Sequence, residues 1–372
     1  MKLKYNIVIV LLFTFVGFSF TATDKEVPTE RTKSITKTFP IAADGTTSLS
    51  NKYGKMEINI WDKNEVQITV NVKVDARNDR KEQEILDGID VEFDNSGDYV
   101  SAETEFNLKG SYNNVSYNIE YEVYMPATND LRASMKYGNL RLGKLRGKAD
   151  IEVKYGNFHL ESVGDNSEIE VAYSGSDCTI VEAQNLSCEV SYSRLHIYQA
   201  ENIEIDSKYC QGMEIESCED LNIDSKYDRF TIGKAEKIIL DTEYSNFTLD
   251  EIENAVIDAD YTNVKIGTLK NSLKVDLSYN NCVIEKVMKG FSEVNMEGNH
   301  ASFKLGIEEG ASYRLVAEGK YSDVRFDDDG MNIKRDIRKS NAFEIEGSKG
   351  SSSARSRIVA DLSYGGLKIW EE

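Results

Sequence analysis

Tyr244-Ser245-Asn246-Phe247-Thr248-Leu249 and, seventeen residues on, Tyr261-Thr262-Asn263-Val264-Lys265-Ile266 are two copies of one phrase. Lys154-Tyr155-Gly156-Asn157-Phe158 is a third. Outward from these, tyrosines stand at Tyr137, Tyr155, Tyr173, Tyr192, Tyr209, Tyr227, Tyr244, Tyr261 and Tyr279, separated by 18, 18, 19, 17, 18, 17, 17 and 18 residues. Weaker copies begin at Tyr53, His300, Tyr321 and Tyr364. A fixed internal period of this length is the signature of a repeat architecture.

Within a repeat the alternation has period two, that of a strand, and no helical period competes with it. Four residues before each tyrosine the chain carries Ala133, Ile151, Ile169, Cys188, Ile205, Ile223, Leu240, Ile257 and Val275. Two residues before it come Met135, Val153, Val171, Val190, Ser207, Ser225, Thr242, Ala259 and Leu277, apolar or small, which share that parity and point inward. After the tyrosine, a corner rich in Gly, Asn and Ser supplies residues that tolerate positive φ. A second short strand such as Phe230-Thr231-Ile232 follows.

Such a unit cannot bury its apolar face alone, but stacked units pair each strand with its equivalent in the next. The expected fold is therefore all-β, a parallel β-solenoid (β-helix) of about 18 residues per coil. Ten or so coils at the strand spacing make a rod on the order of 50 Å long. Residues 36–126 read as a strand-rich N-terminal cap with a short helix near 78–87, and residues 127–330 as the regular repeats. Residues 331–372 read as an irregular loop or hairpin, carrying the basic cluster Lys334, Arg335, Arg338 and Lys339, followed by closing strands.

Lys2 and Lys4 precede an uncharged apolar run from Ile7 to Phe20, the pattern of a signal peptide ending near residue 22. No later stretch reaches membrane-spanning length. The expectation is an exported protein, periplasmic, outer-surface or extracellular. The first cysteine is Cys178, so a lipoprotein anchor is not expected. The chain has 44 basic and 64 acidic residues and a net charge of −20, which losing Lys2 and Lys4 takes to −22. That surface repels phosphate and argues against nucleic acid or bare anionic membrane as partners. Five cysteines cannot form a complete disulfide framework. Cys178, Cys188 and Cys282 occupy positions of small buried hydrophobes. Cys210 and Cys218 are left open between pairing and burial.

The strand-Pro segment Tyr121-Glu122-Val123-Tyr124-Met125-Pro126, the serial Lys-Tyr-Gly-Asn corners, and the closing Phe343-Glu344-Ile345-Glu346-Gly347 and Tyr364-Gly365-Gly366 resemble the putative-adhesin β-solenoid domains of bacterial exported proteins. The resemblance covers most of residues 45 to 370 and implies an envelope binding or adhesion module. It carries no catalytic residues.

Stacked repeats turn any repeated residue into an array. Three residues before the tyrosine stand Glu152, Glu170, Glu189, Asp206, Asp224, Asp241, Asp258 and Asp276, with Ser134 the single exception. By parity they face solvent, where like charges one strand apart repel. The simpler reading is a hydrated, solubilising face relieved by Lys136, Lys154, Lys208 and Lys226. The sharper one is a ladder sharing Ca²⁺. Tyr155, Tyr173, Tyr192, Tyr209, Tyr227, Tyr244, Tyr261 and Tyr279 form a second array. Their inward parity favours core packing as a ring ladder, and the alternative is exposed rings that bind glycans or peptides. Asn139, Asn157, Asn246, Asn263 and Asn281 read as turn chemistry.

Of three histidines, His159 and His196 point outward two repeats apart, a poor metal pair, and His300 replaces a tyrosine. No catalytic constellation stands out, and the chain reads as a non-enzyme without cofactor. The functional expectation is a binding or adhesion module. A structural or regulatory envelope protein that meets another protein through Lys334–Lys339 is the alternative, and a polysaccharide-active enzyme the third reading.

Overall fold

The computed structural model describes residues 31–76, 78–108, 115–175, 177–351 and 353–372. The leader read from residues 1–22 lies outside them. Within them the chain is all-β with a single α-helix, and its 23 strands join in one hydrogen-bonded sheet system. No helix among the described residues is long and apolar enough to cross a membrane.

Seven elements precede the regular repeats: β1 (Arg31–Pro40), β2 (Thr46–Trp61), β3 (Glu65–Asp75), α1 (Asp79–Gly88), β4 (Ile89–Asn95), β5 (Tyr99–Phe106) and β6 (Ser116–Pro126). The α1 helix begins where the Asn78 side chain accepts the Lys81 N–H at 3.0 Å, and it buries Ile85 and Leu86 against the sheet. The repeats follow as β7 (Asp130–Lys144), β8 (Ala149–Lys154), β9 (Phe158–Val163), β10 (Ser167–Ala172), β11 (Asp177–Ser191), β12 (Arg194–Lys208), β13 (Met213–Lys226), β14 (Arg229–Glu243), β15 (Asn246–Asp260), β16 (Asn263–Val287) and β17 (Glu293–Ile307). The last six are β18 (Tyr313–Lys320), β19 (Asp323–Arg325), β20 (Met331–Lys339), β21 (Ala342–Lys349), β22 (Ser356–Ser363) and β23 (Gly366–Glu371).

From β7 to β17 every pairing is parallel and in register with the sequence repeat. Ala133, Ile151, Ile169, Cys188, Ile205, Ile223, Leu240, Ile257 and Val275 are consecutive partners. All nine are buried, which makes them the spine of a continuous core. Each large aliphatic among them contributes roughly 1.5–3 kcal/mol by leaving water.

The expected pair of short strands per repeat needs correcting. From β11 to β15 a single strand of 14 or 15 residues runs from one tyrosine to the next and bends on the way. In β14 the inward residues are Phe230, Ile232, Ala235, Ile238, Leu240 and Thr242. Their spacing widens from two to three at Ala235 and at Ile238, and Gly233 and Glu236 have no partner in the ladder. Those two places are bends, so the path has a third side that a strict period of two cannot reveal.

Both ends are closed by strands from distant parts of the chain. β2 runs parallel to β7, from Thr46 opposite Asp130 to Ile58 opposite Leu142. Its other edge takes β5 and β6. Antiparallel β3 and β1 continue outward from β6, and β4 from β5. At the far end β22 lies between β17 and β18 and is parallel to both. Antiparallel β21 and β20 complete that edge, so the basic cluster lies on a hairpin strand.

Candidate functional site: two ladders along the repeats

The turn that closes each repeat is made by the tyrosine itself. Tyr53, Tyr137, Tyr155, Tyr173, Tyr192, Tyr209, Tyr227, Tyr244, Tyr261, Tyr279, Tyr321 and Tyr364 all have φ between 50 and 62°, and His300 has φ 55°. This corrects the expectation that Gly, Asn and Ser beyond the tyrosine carry the positive φ, which among the described residues holds in addition only at Gly54 and Asn280. It also corrects the inward parity of the rings. A left-handed residue breaks the pleat, and the tyrosines point outward, 36 to 59% exposed. Each pays a backbone cost on the order of 1–2 kcal/mol.

What holds them is a buried polar row that sequence reasoning missed. From Tyr173 to Tyr261 the residue after the tyrosine turns inward: Ser174, Ser193, Cys210, Asp228, Ser245 and Thr262 are all buried. The Ser174 N–H donates to Ser193 Oγ at 3.0 Å, and the Cys210 N–H to Asp228 Oδ1 at 2.6 Å. In the same way the Asp228 N–H donates to Ser245 Oγ at 3.0 Å, and the Ser245 N–H to Thr262 Oγ1 at 3.1 Å. Ser193, Ser245 and Thr262 hydroxyls in turn donate to the carbonyls of Ser191, Glu243 and Asp260. The turns at Tyr173, Tyr209, Tyr227 and Tyr244 are thus clamped to the next repeat. The available signal was the run of small hydroxyl residues after the tyrosines, which passed for ordinary turn chemistry.

At Gly156 a side chain is excluded, because a Cβ would lie 1.8 Å from the Gly138 carbonyl oxygen. Asp228, which also accepts from Ser207 Oγ at 2.7 Å, is pushed above the ordinary carboxyl range by burial.

Outside, the rings stack face to face from Tyr53 through Tyr137, Tyr155, Tyr173, Tyr192, Tyr209, Tyr227, Tyr244 and Tyr261 to Tyr279, then His300, Tyr364 and Tyr321. Centroids are 4.6–5.1 Å apart and planes within 19° of parallel. Thirteen rings at the sheet spacing span about 60 Å. Since each face is covered by a neighbour, what meets solvent is a row of ring edges and hydroxyls.

Glu152, Glu170, Glu189, Asp206, Asp224, Asp241, Asp258 and Asp276 are consecutive register partners facing solvent. The row continues into Glu297, Asp361 and Glu318, which a sequence period cannot reach because β22 enters out of order. Lys154 bridges Glu152 at 2.5 Å and Glu170 at 2.7 Å, which raises the lysine pKa and lowers that of Glu152. From Glu189 to Asp276 no described base lies within ion-pair distance. Burial and then Glu297 and Asp260 raise the Asp276 pKa. Among the described residues no three His, Cys, Asp or Glu side chains gather as a metal site. The acids stand one per strand and do not converge.

The other singled-out residues fall as follows. His159 is hydrogen-bonded to Glu161 and His196 to Glu216, and Thr179 lies between the two in register. All five cysteines are buried and none is in a disulfide, so Cys210 and Cys218 do not pair. Asn263 donates to Asn246 across one repeat at 3.1 Å. A polar groove of about 480 Å³ runs past Asn185, Asn202, Asp220 and Lys237 on another side of the repeats.

No family model matches the chain, and no curated protein does. Solved structures are similar at a distance. A putative cell adhesion protein from Clostridium sporogenes shares 10% identity over 92% of this chain and 100% of its own, with a TM-score of 0.20. A putative adhesin from Parabacteroides merdae shares 13% over 74% of this chain and 92% of its own, at 0.29. A putative lipid binding protein from Parabacteroides distasonis shares 9% over 90% of this chain and 96% of its own, at 0.23. Adhesin-type neighbours are what the sequence resemblance implies. Likeness at this level leaves function to the chain's own residues.

Proposed function

We propose that the chain is an exported parallel β-solenoid, one coil per tyrosine, that binds or adheres at the cell envelope through a long face and without catalysis. The observation that carries this reading is the continuous ring ladder, half-exposed over the whole length of the repeats at a cost in backbone strain that burial does not repay. Ring faces are covered, so sugar stacking is confined to the end rings. The ladder instead offers phenol hydroxyls at a regular spacing beside a row of carboxylates. That pattern suits a repeating, hydroxyl- or amine-bearing partner such as a neutral or amine-bearing glycan, and excludes a polyanion. The apolar run before residue 22 supports export.

The test is a glycan array probed with the full chain and with Tyr209→Phe/Tyr227→Phe/Tyr244→Phe, which keeps the rings and removes three hydroxyls. Glycan binding that falls by on the order of a hundredfold in the triple variant supports the proposal, as three lost hydrogen bonds cost about 1 kcal/mol each. Binding that the variant leaves unchanged, or glycan cleavage with release of reducing ends, counts against it.

A further inference from the structure

The neighbouring strands β22, β18, β21 and β20 line a cleft of about 320 Å³ at the C-terminal edge. Its charged lining is Arg314, Lys334, Arg357 and Glu346, three cations to one anion in a chain of net charge −20. Arg314 and Arg357 are direct partners in the parallel ladder, an arrangement that costs stability unless a counter-charge is shared. Arg357 reaches Glu293 at 2.9 Å and Lys334 approaches Glu346 only to 3.8 Å. Among the described residues no carboxylate lies within ion-pair distance of Arg314.

Beside this pair Val316 and Val359 are partners in the same two strands, and Val316 is 50% exposed, an apolar side chain on an outer sheet face. An unbalanced guanidinium next to an apolar floor in a concave site is the chemistry of a small-ligand pocket.

We propose that this cleft binds a small ligand carrying a single oxyanion, carboxylate or phosphate, on a sugar-ring or apolar body. The anion sits across Arg314 and Arg357, and the body lies on Val316 and Val359. A polyanion is excluded because Asp361, Glu318 and Glu344 form the next row along the same strands. The site is separate from the tyrosine ladder, so this proposal and the preceding one stand or fall independently.

The experiment is calorimetric titration of the full chain with methyl glucuronide, methyl glucoside and inorganic phosphate, each repeated on Arg314→Gln and on the control Arg325→Gln, outside the cleft. Saturable glucuronide binding that drops by on the order of tenfold or more in Arg314→Gln, as expected for a lost charge-assisted bond, and persists in Arg325→Gln supports the proposal. Phosphate binding with the same Arg314 dependence supports it and assigns the anion as phosphate. It is overturned if neither anion binds the wild type at millimolar concentration, if the neutral glucoside binds as well as the glucuronide, or if Arg314→Gln binds unchanged. Arg314 is exposed, and matched circular dichroism of the variants shows that the fold is intact.

Discussion

A tyrosine with φ near 55° is an unusual residue, and twelve of them in one chain make the strain a property of the design. This reverses the ordinary ranking of small substitutions. At Tyr227, alanine loses the ring and keeps the strain, whereas glycine loses the ring and relieves it. Tyr227→Gly is therefore expected to be more stable than Tyr227→Ala by about 1 kcal/mol in urea unfolding; equal stabilities would mean that the left-handed turn is not strained. Nothing in the sequence announces that turn, because the period-two pattern holds right up to the tyrosine and the break falls on the residue itself. Asp228 belongs to the same corner. Its folded pKa lies above the ordinary value, so the folded chain takes up the proton first as pH falls. Its contribution improves with falling pH and is lost as pH rises through the folded pKa. Tm measured from pH 7 downward should show the wild type gaining on Asp228→Asn, which has no charge to bury.

At the scale of the strand, the outward carboxylate row is legible from spacing alone between Glu152 and Asp276. Strands that add out of sequence order, as β22 does, carry it further than any period can show. With no described base within ion-pair distance from Glu189 to Asp276, and Lys226 acting on Asp224 and Asp241 only at longer range, the row is a set of repelling charges one strand apart. Asp206→Asn/Asp224→Asn/Asp241→Asn should raise Tm at low ionic strength, and the gain should shrink at about 0.5 M salt as screening shortens the reach of the repulsion. The wild type should melt at the same temperature with chelator as with millimolar Ca²⁺, since single carboxylates per strand do not supply the several oxygens the ion requires. A clear Ca²⁺-induced rise would restore the shared-ion reading.

For the whole molecule, the parallel stacking was readable because one period runs through nine tyrosines, and the closure of the ends was not. The copies at Tyr53, Tyr321 and Tyr364 are recognisable as phrases. Their places in the stack depend on which strands they pair with, and those partners lie 43 to 84 residues away. β22 is the structural hinge of this arrangement, paired on both edges. Removing residues 356–372 strips one edge of β17 and one edge of β18, leaving β18, β20 and β21 joined to each other but cut off from β17, and hydrogen exchange should then show β18 to β21 losing protection while β10 to β15 keep theirs. Uniform loss throughout would instead make the chain a single cooperative unit.

The ring column also has an optical consequence. Phenol chromophores held parallel at one short spacing couple their transition dipoles along the long axis, so the near-ultraviolet circular dichroism of the folded chain should exceed what its isolated tyrosines would give. A single missing ring divides that coupled array into two shorter ones, and the spectrum reads out the continuity of the stack from end to end.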